Sequence, residues 1–345
     1  MKAIQLIEPC TMPVLRDIAE PEPRPDQLLV KVLAAGVCRD DINAIDQYAD
    51  AFNYPLPMVL GHECVGTIAA IGEAVEPLHQ VGDAVIVYPP WGCGVCPMCA
   101  AGLDNYCQDA VTHGITPPGL GHDGGCAQYM LVDRARYCIP IGDLDPVQAA
   151  PLSDAGLSSY HAVMRSARKL LPSGVAVVFG IGGLGHLAVQ LLKHLTPATV
   201  VAIDVSEQHL ELAAAMGADH CYPSDVRAIR AVRELTDGYG AEVVLDFVGT
   251  QDTINLGAQM TRTCGDWSIV GAGPGVASVA FGSLPFGCQV FSPYWGTRQD
   301  LLQVVELAQK GLLKVQVEEH SLEEGVEVYR RLRNGEIIGR AVLVP

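Results

Sequence analysis

The chain has 345 residues, 49% of them hydrophobic and 36 of them glycine, which suits two α/β-type cores better than one. Its formal net charge of −17 is offset by no Lys/Arg cluster, which excludes a nucleic-acid backbone as partner. No run reaches the ~18 apolar residues of a membrane span, and the acidic first segment (Glu8, Asp17, Glu20, Glu22, Asp26) lacks the basic start of a leader, so a soluble, cytoplasmic protein without membrane contact is expected.

In chain order, the N-terminal part reads as short strands broken by Gly and Pro: "KAIQLI", "QLLVKVLAAG", "GTIAAIG" and "VGDAVIVYPP", with "PEPRP" as a stiff turn between the first two. This is the pattern of an all-β barrel or sandwich. From Val175 apolar runs alternate with stretches of helical length: "VAVVFG", "TVVAID", "EVVLDFVG" and "DWSIVGAG" predict a parallel sheet of βα units. Ser206 before "EQHLELAAAM" and Gly217 after it mark one helix, and the Ser321/Glu324 capping box with Asn334-Gly335 marks another. The terminal "GRAVLVP" reads as a closing strand.

Twelve cysteines are too few for a disulfide scaffold in a chain of this length, and four of them fall within 15 residues. Cys93, Cys96, Cys99 and Cys107, in "GCGVCPMCAAGLDNYC", follow C-x2-C-x2-C-x7-C. Two-residue gaps let a chain wrap around one ion, so this spacing predicts a closed tetrahedral zinc site that holds a loop, in preference to free thiols or an iron-sulfur cluster. In "VAVVFGIGGLGHLAVQLL", Gly180, Gly182 and Gly185 form G-x-G-x-x-G between a predicted buried strand and a predicted helix. There the first glycine permits a tight turn, the second lets backbone approach a pyrophosphate, and the third lets helix press on strand. Asp204, nineteen residues past Gly185 at the end of "TVVAID", is placed to accept ribose hydroxyls and repel a 2′-phosphate, which favours NAD over NADP.

Cys38 in "GVCRDDINAID", the pair His62-Glu63 in "LGHECVG" and Asp154 in "PLSDAGLSSYHA" are ambiguous singly; Asp154, for one, could cap a helix beginning near Ala155. Together with G-V-C at 36–38, G-H-E-x-x-G at 61–66, "VGDAV", the four-cysteine lobe, the glycine fingerprint and "GRAVLVP", they give the chain a resemblance, end to end, to the zinc-dependent medium-chain alcohol dehydrogenases, in particular the bacterial NAD-dependent secondary-alcohol enzymes. The resemblance implies a GroES-like β-barrel catalytic domain over 1–155 and 296–345 and a doubly wound Rossmann domain over 156–295. It implies two zinc ions per chain: a structural one on the four cysteines, and a catalytic one on Cys38, His62 and Asp154 with Glu63 as an alternative ligand. It further implies cofactor contacts from Arg39, Gly183, Leu184, Val248, Gly271 and Arg340, a substrate pocket with Asn43, Tyr54, Leu120, Tyr294 and Trp295, and a homo-oligomer, tetramer before dimer.

The implied activity is NAD-dependent oxidation of an alcohol, secondary or aromatic, or reduction of the carbonyl. A polyol, amino-alcohol or threonine dehydrogenase of the same family is the alternative; a non-catalytic dinucleotide-binding redox sensor is the alternative of another class. The chain departs from the family at two positions. Asp40 stands where a Ser or Thr hydroxyl normally meets the reacting oxygen, and Asn43 stands where some members place a histidine, whereas Asp41 fits the family pattern. Asp40 is expected either to be protonated by desolvation and to donate the missing hydrogen bond, or to be ionised and attract a cationic substrate.

Overall fold

The computed structural model describes residues 1–46 and 54–345. The chain divides into two compact units, Met1–Leu157 with Thr297–Pro345, and Ser158–Gly296. Eight strands precede the division: β1 (Lys2–Leu6), β2 (Val14–Asp17), β3 (Leu28–Val37), β4 (Met58–Val59), β5 (Glu63–Ile71), β6 (Ala84–Val87), β7 (Tyr129–Val132) and β8 (Cys138–Pro140). The second unit contributes β9 (Val175–Phe179), β10 (Thr199–Asp204), β11 (His220–Pro223), β12 (Ala241–Asp246), β13 (Thr261–Ile269) and β14 (Gln289–Phe291). The returning segment adds β15 (Val317–Ser321) and β16 (Arg340–Val344).

In the first unit β2-β1-β4 form a small sheet, and β15-β16-β3-β5-β6-β8 form a larger one in which β7 also pairs with β3. The hub is β3. Its run of Leu, Val and Ala is buried at nearly every position because neighbours flank it on both edges. Antiparallel registers place Gly36 opposite Glu63 and Val37 opposite Ala341. The end of β3 therefore meets the starts of β5 and β16 at one point, and Cys38, His62 and Arg340 are the residues there. Gly36 is required at this junction, since a Cβ on it would lie 1.9 Å from Glu63 Oε2.

Helices follow the local signals. Among the short ones are α1 (Arg39–Ile45), α2 (Pro97–Ala100) and α3 (Pro146–Ala149), and α4 spans Ala155–Ser166. The second unit carries α5 (Gly185–Leu195), α6 (Glu207–Ala215), α7 (Val226–Leu235) and α8 (Gln251–Met260); α9 (Arg298–Gln309) and α10 (Gly325–Arg333) belong to the returning segment. Ser206 caps α6 by accepting the His209 N–H, and Gly217 leaves that helix at φ 99°. The Ser321/Glu324 box opens a short 3-10 turn that runs into α10. Ala155 N–H, at the start of α4, donates 3.0 Å to Glu63 Oε1, so the carboxylate that satisfies this helix end comes from β5.

The second unit is a six-stranded parallel sheet in the order β11-β10-β9-β12-β13-β14. This is the doubly wound order in which the chain starts at the centre, runs to one edge and returns to build the other half, leaving a switch point beside β9. Val175, Val177, Phe179, Val201, Ile203, Val244 and Trp267 pack in one core cluster. Every residue of β9 is buried, as expected of a central strand covered on both faces. No helix among the described residues is long and apolar enough to cross a membrane.

Candidate metal centre and dinucleotide turn

Cys38, His62 and Asp154 come from three separate segments and are each at most 3% exposed. One ligand atom of each lies within 4.8 Å of the other two. Cys38 Sγ is 3.2 Å and His62 Nε2 3.4 Å from Asp154 Oδ2. The edges of a tetrahedron around zinc with S, N and O ligands are about 3.4–3.6 Å, so these donors fit one Zn2+ with little movement. The charges fit as well, because a thiolate and a carboxylate sum to about zero with a dication. Burial pushes the Cys38 thiol up to about 12. Burial alone would lower His62, but Asp41, Cys38 and Asp154 around it outweigh that and hold it well above its ordinary value. Asp154 is held well below the carboxylate range, against burial, by His62 and Arg340.

A second layer fixes these side chains. Asp41, at the third position of α1, accepts the Cys38 N–H at 3.0 Å through Oδ2, while its Oδ1 faces His62 Nδ1 at 3.1 Å. One fully buried carboxylate thus ties Cys38 and His62 together and leaves Nε2 on the side of Asp154. Glu63, the expected alternative ligand, is not in the cluster. Arg340 donates to both of its oxygens (Nε to Oε2 2.9 Å, Nη2 to Oε1 2.6 Å), and Nη2 also donates 2.9 Å to Asp154 Oδ2. Arg340, expected to contact the cofactor, is only 4% exposed and engaged by these two carboxylates. Arg39 is exposed at the first position of α1.

The two departures from the family pattern turn out to be partners: Asn43 Nδ2 donates 2.9 Å to Asp40 Oδ1, one turn apart on α1. Desolvation, and then the charge of Asp154, push Asp40 above the usual carboxylate range. Tyr54 is raised by burial and by the charge of Asp40. Leu120 is buried in the first unit. Tyr294 and Trp295 belong to the second unit, their ring centroids 5.2 Å apart, with Trp295 buried and Tyr294 half-exposed.

The four-cysteine lobe is built around a common centre. Cys93 and Cys99 sulfurs are 3.9 Å apart, as are those of Cys96 and Cys107, and all four sulfurs lie within 4.8 Å of one another. A ZnS4 tetrahedron has edges of about 3.8 Å. Backbone N–H groups point at the sulfurs: Cys96 and Val95 donate to Cys93, Cys99 to Cys96, and Cys93 to Cys107. Cys96 is at the N-terminus of α2, and the Cys99 N–H lowers its thiol to about 6. Asp104, inside the last gap of the motif, is fully buried and binds Arg298 Nε at 2.9 Å and Arg136 Nη2 at 3.3 Å, tying the lobe to the start of α9.

In the second unit the three glycines have three different surroundings. Gly180 has φ 82°, so it turns where other residues would be strained. A Cβ on Gly182 would meet nothing within 4 Å, which leaves its backbone open to a ligand. A Cβ on Gly185 would lie 1.8 Å from the Gly180 carbonyl oxygen, so α5 packs on the turn only with glycine there. Gly183 and Leu184 complete the turn, with Leu184 capping α5. Asp204 closes β10, where Oδ2 accepts the Ile181 N–H at 2.6 Å and Oδ1 meets Ser206 N–H and His209 Nδ1. Asp246 at the end of β12 accepts the N–H groups of Val248 and Gly249, which seats Val248 against the Gly180 turn. Gly271, after β13, lies so close to Val248 that a Cβ would meet its carbonyl carbon at 2.4 Å.

Asp41, matched to the family pattern without a role, and Asp104, Arg136, Arg298, His209 and Tyr329 also contribute to these sites. Asp41 carried a local signal, since Cys38-x-x-Asp41 is the spacing of a capping box. The others depend on pairings between distant segments.

A buried cluster of zinc-compatible donors in one unit and a glycine turn of dinucleotide-binding type in the other fit a metal-dependent, nucleotide-dependent dehydrogenase. Residues 24–143 match the alcohol dehydrogenase GroES-like domain, and residues 183–310 match the zinc-binding dehydrogenase domain. The D-arabinose 1-dehydrogenase (NADP(+)) of Saccharolobus solfataricus is 34% identical, over 96% of this chain and 94% of its own. An NAD-dependent alcohol dehydrogenase of Sulfurisphaera tokodaii is 33% identical over 100% of both chains. The crystal structure of the alcohol dehydrogenase of Aeropyrum pernix superposes with a TM-score of 0.91 at 38% identity over 100% of both. The chain belongs to the zinc-dependent medium-chain dehydrogenase/reductase family.

Proposed function

We propose that this chain is an NAD-dependent zinc alcohol dehydrogenase or carbonyl reductase, acting on a secondary or aromatic alcohol or the matching carbonyl compound. The observation that carries the reading is the convergence of Cys38, His62 and Asp154 within 4.8 Å in a buried setting. These residues would hold a zinc ion that supplies Lewis-acid polarisation of the substrate oxygen, and the glycine turn would hold the dinucleotide that exchanges hydride.

The protein's own groups then have definite work. Asp41 keeps the His62 Nδ1 proton and so presents Nε2 to the metal. Arg340 withholds Glu63 and donates to Asp154, which limits the negative charge at the ligands to one thiolate and one carboxylate. Gly182 leaves room for a pyrophosphate. Asp204, oriented by Ile181, Ser206 and His209, is placed to receive ribose hydroxyls and disfavour a 2′-phosphate. Four-cysteine zinc binding, making two ions per chain, is part of the same proposal. Asn43 and Tyr54 border the substrate on the Asp40 side.

Asp40, tethered by Asn43, is the hydrogen-bonding group to the substrate oxygen in place of the family's hydroxyl. Asp40→Ser is then expected to keep kcat within about tenfold of wild type, while Asp40→Ala loses on the order of 10²–10³. Equal rates for the two variants would contradict the role.

The chain is further proposed to self-associate, as a tetramer in preference to a dimer, through its second unit. Val276, Val279, Phe281 and Phe286 are between 66% and 97% exposed, and β14 at the sheet edge pairs, among the described residues, with β13 alone. Sedimentation of Phe281→Asp should show smaller species than wild type, and a monomeric wild type would contradict the proposal. Its thiolate sites suit a reducing, cytoplasmic compartment. Incubation with NAD or NADP and a panel of secondary alcohols tests the activity: NADH formation with NAD preferred is expected, and no turnover of any alcohol or carbonyl would overturn it.

A further inference from the structure

We propose that Tyr329, on α10, is a positioning residue for the metal centre, acting through Asp41 on His62. The inference rests on the reading of Cys38, His62 and Asp154 as zinc ligands.

Tyr329 is fully buried, and 288 residues of sequence separate it from Asp41. Its hydroxyl donates 3.2 Å to Asp41 Oδ2, the oxygen that also accepts the Cys38 N–H. The other Asp41 oxygen faces His62 Nδ1 at 3.1 Å. The Cys126 sulfur lies 3.4 Å from the same hydroxyl, on a fully buried residue beside the Gly61 turn that leads to His62. The result is a continuous buried chain from Cys126 through Tyr329 and Asp41 to His62.

Packing alone does not explain the phenol. A phenylalanine would fill the volume, and a buried hydroxyl without a partner is unfavourable, so the oxygen is accounted for by its bond to Asp41. The terminal torsion of an aspartate is broad and roughly two-fold, and contact with one backbone N–H does not define it. A second donor on Oδ2 does, and it leaves Oδ1 aimed at the imidazole. The anchoring helix is seated directly on β1: a Cβ on Gly325, at the start of α10, would lie 2.1 Å from Ile4 Cδ1. The C-terminal segment thereby sets the orientation of a ligand held near residue 62.

Tyr329→Phe removes one oxygen and tests this. Zinc affinity at the Cys38 site is measured by competition with a chelator of known strength, with the melting temperature and the visible spectrum of the cobalt-substituted protein recorded alongside. The expected result is about tenfold weaker zinc at that site, in the range of second-layer losses, with zinc on the four cysteines unchanged and the cobalt bands shifted. Asp41→Asn should weaken binding at least as much, and adding Tyr329→Phe to it should have no further effect. Zinc binding within twofold of wild type, or a double variant that loses the product of the two single losses, would overturn the proposal. A wild-type chain that binds only one zinc would instead overturn the metal reading on which it rests.

Discussion

Asp154→Asn is expected to lower kcat/KM by at least about 10³-fold, the equivalent of about 4 kcal/mol of transition-state stabilisation. The amide keeps the size and one oxygen of the carboxylate but removes the charge. Asp154 Oδ2 is the atom on which Cys38 Sγ, His62 Nε2 and Arg340 Nη2 converge, within 3.4 Å in each case. Without that charge a dication meets a single thiolate, and Arg340 is left paired with Glu63 alone in a buried setting where unbalanced charge is costly. Asp154→Cys restores one negative charge from a zinc-compatible donor, so it should recover most of the loss. Kinetics with metal analysis checks both variants. Wild-type kcat/KM in Asp154→Asn would remove Asp154 from the centre.

A contrast between two glycines of the fingerprint is the second large effect. Gly185→Ala puts a methyl 1.8 Å from the Gly180 carbonyl oxygen, a backbone atom that cannot move without opening the turn. Dinucleotide binding should be lost and the melting temperature should fall. Gly182→Ala meets nothing within 4 Å and has an ordinary φ, so the fold should be intact. Its methyl nevertheless occupies the space through which a pyrophosphate approaches, and the KM for NAD should rise about tenfold or more. Calorimetry for stability and cofactor titration separate the two. Equal stability of both variants would mean that the helix does not press on the turn.

Much of this was legible in the residues. The strands "VAVVF" and "TVVAID" appear over the predicted spans because period and composition are local properties. The same holds for the cap at Ser206 and for the lobe, whose four cysteines lie within 15 residues. The dispositions of Asp40 and Asp41 were harder to read. Adjacent on one helix, they differ by about 100° in direction, so one faces the His62 ring and the other pairs with Asn43. Composition cannot assign those faces; the start of α1 at Arg39 does. The occupation of Arg340 by Glu63 and Asp154 follows from the registers of β3 with β5 and β16, which are long-range pairings with no local signature. Tyr329 and Arg298 come from the returning segment and were invisible for the same reason.

Hydride exchange with NAD is expected to depend on zinc held by Cys38, His62 and Asp154. Stripping the protein with a chelator and adding zinc back stepwise, while following NADH formation from a responsive secondary alcohol, tests it most directly. Activity should return with zinc at the Cys38 site in wild type and not in His62→Ala, both with the four-cysteine site filled. Full NADH formation with the Cys38 site empty, or none with both sites filled, would contradict it.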